Sequence, residues 1–308
     1  MKFKIMLVGL ACMVLVFAAF AQQPEDQNGT SVKMLVTVES HPQNQAPTLQ
    51  KEDVMVYQGK QRDVVTSWTP LENDEAGLQI FLLIDDSSSP SDLGANLNEL
   101  RSFLTSVPGN AEVGVAYMRN GTANITQALT KDHAQAARAV RLPLGSGAGQ
   151  ASPYFSLQDL LKKWPQSSAA REVVMFTDGI DRYYDHFELN DPYVNSAIEQ
   201  AQRAGVVVYS IYAAGAGHDG HTLWRVNLGQ DYLSETSDAT GGESYYLGNQ
   251  TPVTFTPYLN QISERMKHQY VLTFLAQPGK TGLQPVTLST EVPHAQLVAA
   301  RSVYVPAR

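Results

Sequence analysis

Two short stretches place acids and hydroxyls at the ends of apolar runs. In "FLLIDDSSSP" (residues 81–90) four apolar residues lead into Asp85, Asp86, Ser87, Ser88 and Ser89, and in "VVMFTDG" (173–179) another run ends in Thr177, Asp178 and Gly179. Two carboxylates brought together at strand ends repel one another unless they share a proton or a cation. Ser87 and Ser89 add hydroxyl oxygens at alternate positions. A third hydroxyl could come from Ser152 in the glycine-rich stretch "GSGAGQASPYF" (145–155), with Ser146 in the same stretch and Ser156 just after it as competitors for the role. Carboxylate and hydroxyl oxygens are hard donors, suited to a Mg²⁺ ion that takes octahedral oxygen ligands and keeps several waters. A plainer use of the same residues is helix capping, with Ser89 or Ser91 at the start of the next helix. Asp86 reads as solvent-facing, and Asp181 and Asp185, in "DGIDRYYDH", as parts of an exposed acidic loop, with a place on the rim of the site as the alternative.

The segments that must position these groups alternate between two kinds. "LQIFLLID" (78–85), "EVGVAYM" (112–118), "REVVMFTD" (171–178) and "VVVYSIYA" (206–213) are apolar almost throughout, as strands buried on both faces of a parallel sheet are. "TANITQA" (122–128) and "ESYYLG" (243–248) are weaker strand candidates. Between them, Leu93, Leu97, Leu100 and Leu104 recur at helical spacing, as do Leu157, Leu160, Leu161 and Trp164 before Pro165. Asp191-Pro192 reads as a helix start with Gly205 as its end, and Thr256-Pro257 opens another helix with Leu259, Ile262 and Met266 inward. This alternation predicts a doubly wound, mostly parallel six-stranded α/β sheet with helices on both faces. In strand order 3-2-1-4-5-6 the strands ending in Asp85 and Asp178 are neighbours at the point where the winding reverses, which is where ligands bind in such sheets.

The flanks read as strands. "SVKMLVTVES" and "EDVMVYQGKQRDVVTSW", with a turn at Gly59-Lys60, precede the α/β region, and "QYVLTFLAQPGKTGLQPVTLST" and "AQLVAARSVYVPA" follow it. The expected organisation is a signal peptide (1–21), an N-terminal β segment with the linker "TPLENDEAG" (22–77), the α/β domain (78–267) and a C-terminal β segment (268–308), the two β segments pairing into a small β-sandwich. The first 21 residues carry Lys2 and Lys4, a long apolar run and the ending Ala19-Phe20-Ala21, the plan of a cleavable secretory signal; a retained anchor is the alternative. Loss of that segment takes the formal charge from -8 to -10. Cys12 is the only cysteine and lies inside it, so the remainder can use no disulfide, cysteine nucleophile or thiolate metal site. The chain is acidic and has no basic stripe, which argues against a nucleic-acid partner. No later apolar run approaches the length of a membrane span. His218 and His221, in "GHDGHT", lack the glutamate of a zinc-protease helix, and neither a phosphate-binding loop nor a Gly-x-Ser-x-Gly elbow is present.

An apolar strand ending in Asp-x-Ser-x-Ser, a hydroxyl-bearing loop before a helix and a later strand ending in Thr-Asp-Gly resemble the von Willebrand factor type A (vWA) domain. With its flanks, "LQKEDVMVYQGKQ" among them, the chain is similar to the acidobacterial-type vWA-related family of exported proteins. The resemblance implies a metal-ion-dependent adhesion site (MIDAS) formed by Asp85, Ser87, Ser89, Ser152 and Asp178, with a serine at 152 where the family's loop usually carries threonine. It implies Mg²⁺, or Mn²⁺ or Ca²⁺, with one coordination position left open for an Asp or Glu of an exported or cell-surface protein. On this reading the protein is not an enzyme, is periplasmic or secreted, and acts in protein interaction and adhesion. The alternatives are a metal-assisted hydrolase with Asp85 or Asp178 as base, and an architectural envelope protein whose metal site is vestigial.

Overall fold

The structure, a computed structural model, describes residues 29–40, 46–74, 77–145, 152–182, 188–215 and 222–307. The expected signal segment with Cys12, and Ser146, Asp185, His218 and His221, lie outside the described residues. In chain order the strands are β1 (Thr30–Ser40), β2 (Met55–Gln58), β3 (Gln61–Pro70), β4 (Leu78–Asp85), β5 (Glu112–Arg119), β6 (Thr122–Thr130), β7 (Ala170–Thr177), β8 (Val206–Tyr212) and β9 (Ser244–Tyr245), then β10 (Gln269–Ala276), β11 (Gly282–Pro285), β12 (Thr287–Ser289), β13 (Ala295–Ala299) and β14 (Ser302–Val305). The helices are α1 (Pro90–Ala95), α2 (Leu97–Ser106), α3 (His133–Ala139), α4 (Pro153–Lys163), α5 (Pro192–Ala204), α6 (Leu223–Thr240) and α7 (Thr256–Lys267).

The central sheet has the order β6-β5-β4-β7-β8-β9, which is the predicted 3-2-1-4-5-6. Its pairings are parallel except that of β5 with the edge strand β6. Every residue of β4 is buried because both faces are covered. Ile80, Leu82 and Ile84 point into a core shared with α1, α2, α3 and α7, while Phe81 and Leu83 point into the opposite core with α4, α5 and α6. This accounts for the unbroken apolar run: alternate side chains of a doubly covered strand all enter core. Winding reverses between β4 and β7, which lie side by side in register from Leu78↔Ala170 to Ile84↔Phe176. Asp85 and Asp178 therefore stand at adjacent strand ends.

The flanking strands interleave. The second sheet has the order β12-β2-β3-β10-β1-β13, with a two-stranded ribbon of β11 and β14 beside it. Val303 and Val305 of the ribbon share a buried cluster with Val32, Val36, Leu272 and Phe274 of the sheet, so the flanks form the expected sandwich. Two details differ from the sequence reading. The stretch expected as linker begins inside a strand, since β3 runs to Pro70 and Leu71 beyond it is buried. The leucine repeat from Leu93 to Leu104 is split at Asn96, whose amide donates to the carbonyls of Asp92 and Pro252 and so ends one helix before the next begins.

A buried polar contact joins the two sheets. Glu172, near the start of β7, accepts a hydrogen bond on Oε1 from Gln269 of β10 at 2.6 Å, and its Oε2 has no partner among the described residues. Burial pushes its carboxyl up from the ordinary 4.5 to about 7, against the Gln269 bond, the charge of Arg265 on α7 and a bond from Tyr209 on β8. A carboxyl raised in the folded state contributes stability that is complete below pH 4.5 and is lost as pH rises through about 7. Glu172→Gln is expected to remove that part of the pH dependence, measured by chemical denaturation at pH 5 and pH 8. Equal losses of stability between the two pH values in wild type and variant would contradict it.

Candidate metal centre

Asp85 is the last residue of β4 and is fully buried. Its Oδ1 accepts from the Ser87 backbone N–H at 2.9 Å and from the Ser87 hydroxyl at 2.7 Å. Its Oδ2 accepts from the Thr177 hydroxyl, at the end of β7, at 2.8 Å. Burial raises the pKa of the carboxyl, and the negative charge of Asp178 raises it further; the bonds from Ser87 and Thr177 oppose both. The two carboxylates thus sense one another across the reversal point, the repulsion expected from their strand positions.

Asp178 is also buried. Its Oδ1 accepts from the Ile180 N–H at 3.1 Å, a tight turn just beyond β7. Arg182 donates to both of its oxygens, from Nη1 to Oδ1 at 3.1 Å and from Nη2 to Oδ2 in a shorter contact. Against the same end of β7 lies α6. Gly179, at φ 76°, and Gly229 of α6 bring two backbones together: a Cβ at Gly229 would stand 2.1 Å from the Asp178 carbonyl oxygen, and one at Gly179 would stand 2.4 Å from that of Gly229.

The remaining residues of the expected site are placed differently. Ser89 is the N-cap of α1; its hydroxyl accepts from the Asp92 N–H at 3.4 Å and lies 3.0 Å from that of Ser91. Ser152 is the N-cap residue of α4 and fully buried, and its hydroxyl donates to Asp181 Oδ2 at 2.7 Å. Ser156, the competitor just beyond that stretch, is buried within α4. The structure therefore joins Asp85, Ser87 and Thr177 by hydrogen bonds and sets Asp178 beside them, while Ser89 and Ser152 are bonded elsewhere in this conformation.

Two expectations are corrected. Asp86 does not face solvent: it is buried, and Arg141 grips it from two nitrogens at 2.7 and 2.9 Å. Arg141 lies over the Tyr117 ring at 3.8 Å, and Asp86 Oδ1 also accepts from the Leu144 N–H at 3.1 Å. Asp86 therefore fastens the segment that leads toward Ser152. Asp181 is not part of an exposed loop, since it is buried and accepts the Ser152 hydroxyl. Thr177 stands in the sequence reading only as part of the Thr-Asp-Gly strand end, without its bond to Asp85, and Arg182 was missed. The only sequence signal for Arg182 is its place four residues after Asp178, which suggests a pair on a helix but not in the turn found here.

The oxygens on hand are of the kind a hard divalent ion takes. Among the described residues no group of three or more acidic, histidine or cysteine side chains could hold a metal, so an ion here would rest on two carboxylates, hydroxyls and water. The donor chemistry fits: among the described residues the buried Asp85 is bonded by Ser87 and Thr177 and by no cation, while the guanidinium of Arg182 is bonded to the buried Asp178.

No protein-family model matches the chain, and no curated protein matches it. Among solved structures the chain is similar to an aerotolerance-related membrane protein of Bacteroides fragilis carrying multiple mutations to serine, at 16% identity and a TM-score of 0.46 over 62% of this chain and 98% of that one. It is similar to the conserved hypothetical protein BatB of Bacteroides thetaiotaomicron at 16% identity and a TM-score of 0.46, over 62% of this chain and 97% of that one. A von Willebrand factor type A protein of Catenulispora acidiphila aligns over 92% of this chain and 75% of its own, at 12% identity and a TM-score of 0.45. The strand order, the antiparallel pairing of the edge strand β6 and the helical layers on both faces give the α/β unit of this chain the doubly wound architecture that its sequence predicts.

Proposed function

We propose that this is an exported, non-enzymatic binding protein that engages a protein partner through a divalent ion, Mg²⁺ or a related ion such as Mn²⁺ or Ca²⁺, held at the end of the sheet by Asp85, Ser87 and Asp178, with Ser89 and Ser152 turning inward to complete the set. Neutral hydroxyls leave such an ion undercompensated, so an outside carboxylate is attracted to it and the surrounding surface supplies selectivity. The observation that carries this reading is the apolar rim on the same end of the molecule. Leu142, Leu144, Leu189, Trp224, Leu247 and Val253 are all exposed, Leu189 at 86% and Val253 at 93%. Leu144 is bonded to Asp86, Leu189 follows β7, Trp224 opens α6 after β8, and Leu247 and Val253 follow β9. Thr251, two residues before Val253, accepts from the Ala214 N–H beyond β8 at 2.9 Å. Large apolar side chains left in water around a charged crevice mark an interaction site. Among the described residues no helix is long and apolar enough to cross a membrane.

The test is capture from the source cell's envelope fraction on immobilised protein, with Mg²⁺ and with chelator. A partner retained in Mg²⁺, released by chelator and not retained by Asp85→Asn is the expected result. Retention that is indifferent to both would refute the reading.

A further inference from the structure

Arg182 occupies an unusual position for a surface cation. It lies in the turn that follows β7, its side chain is 21% exposed, and it covers both oxygens of Asp178. The pair is packed against the end of β8: a Cβ on Gly215 would come within 3.0 Å of Asp178 Oδ2 and 3.2 Å of Arg182 Nη2. Gly215 in turn bridges to Ser88, in the loop that leaves Asp85. The guanidinium is therefore enclosed between the segments that follow β4, β7 and β8, inside the crevice and not on its rim. Burial works against its charge, yet the charge and hydrogen bonds of Asp178, with the charges of Asp85 and Tyr212, together outweigh burial and leave its pKa above the ordinary value. A planar fork bound to both oxygens of a carboxylate is a strong, geometrically specific contact, and a diffuse monovalent cation that needs no hydration shell suits an enclosed site.

From this geometry we infer that Arg182 is a tethered counterion of the crevice, holding Asp178 and offsetting Asp85 when no divalent ion is bound, so that a divalent ion must displace it to reach Asp178. This rests on the metal-binding reading above and adds a determinant of affinity to it. An ion that binds only the conformation with Arg182 withdrawn has its apparent affinity reduced by the fraction of molecules in that conformation. Removing the guanidinium removes that reduction, and the gain is of the size of an ordinary coupling between two ligands, about tenfold or more. Arg182→Lys keeps the charge but not the fork, because an ammonium is a compact point charge without the planar pair of donors.

The experiment is calorimetric titration of Mn²⁺ into the metal-free full chain, as wild type, Arg182→Gln and Arg182→Lys, with circular dichroism to establish folding. Expected are a lower metal-free thermal midpoint for Arg182→Gln, Mn²⁺ binding at least about tenfold tighter than wild type, and an intermediate affinity for Arg182→Lys. Equal or weaker Mn²⁺ binding by a folded Arg182→Gln would overturn the role given to Arg182 while leaving the metal site standing. Absence of Mn²⁺ binding in every variant would overturn both readings. If Arg182→Gln does not fold, Arg182→Lys decides: tighter binding supports the inference, and unchanged binding overturns it.

Discussion

Phe176→Ala is expected to destabilise the protein by about 3 to 5 kcal/mol, the loss seen when a large aromatic side chain leaves a cavity in a packed core. Phe176 is fully buried in β7, two residues before Asp178, with its ring 5.5 Å from that of Phe255 just before α7. No polar group is disturbed, so the loss comes from burial and packing alone. Chemical denaturation should show a lower midpoint with an unchanged denaturant slope. Under conditions where the variant remains folded, its response to metal should match that of wild type. A loss under about 1 kcal/mol would mean that the neighbouring side chains collapse into the space far better than cores usually do.

Gly229→Ala is expected to combine a stability loss of about 3 kcal/mol with loss of the metal response, and this separates it from Phe176→Ala. The added methyl would stand 2.1 Å from the Asp178 carbonyl oxygen and 3.1 Å from the Ile180 side chain. The first of these contacts is backbone, which cannot rotate away, so either α6 or the end of β7 must move. Asp178 and its turn lie on the moving part. Thermal denaturation with and without Mn²⁺ measures both effects. A variant as stable as wild type, or one that loses stability and keeps the full response to metal, would show that the close approach of the two glycines does not position Asp178.

Much of the fold was legible because buried parallel strands announce themselves as unbroken apolar runs. Those in β4, β5, β7 and β8 set the sheet, and the doubly wound order then placed Asp85 and Asp178 side by side. Capping chemistry was equally readable, as at Asp191, which accepts from the N–H groups of Tyr193 and Val194, and at Gly205 in the left-handed conformation. The pairing of distant segments was not. Nothing local in Asp86 reveals that Arg141 closes over it, and an aspartate after a strand looks the same whether solvent or a guanidinium meets it. Asp181 and Ser152 are likewise far apart in sequence and joined only by packing. Nothing local in Gly229 reveals the carbonyl that it must accommodate. The residues that were missed or misread belong to the ion-pair and hydrogen-bond lattice around the crevice, where tertiary contact decides and sequence spacing does not.

The central claim is that the crevice between β4 and β7 binds a divalent ion through Asp85. The direct measurement is the thermal midpoint of wild type and Asp85→Asn across a titration of Mg²⁺ and of Mn²⁺. Asparagine keeps the shape of the side chain and an oxygen for the Ser87 bonds, and it removes a charge that burial and Asp178 both disfavour. The variant should therefore fold without metal at least as well as wild type. A ligand that binds only the folded state stabilises it by about 2.7 kcal/mol at a hundredfold excess over its Kd. The account predicts a rising, saturating midpoint for wild type and a flat one for Asp85→Asn. Identical responses from the two proteins, or none from wild type, would contradict it.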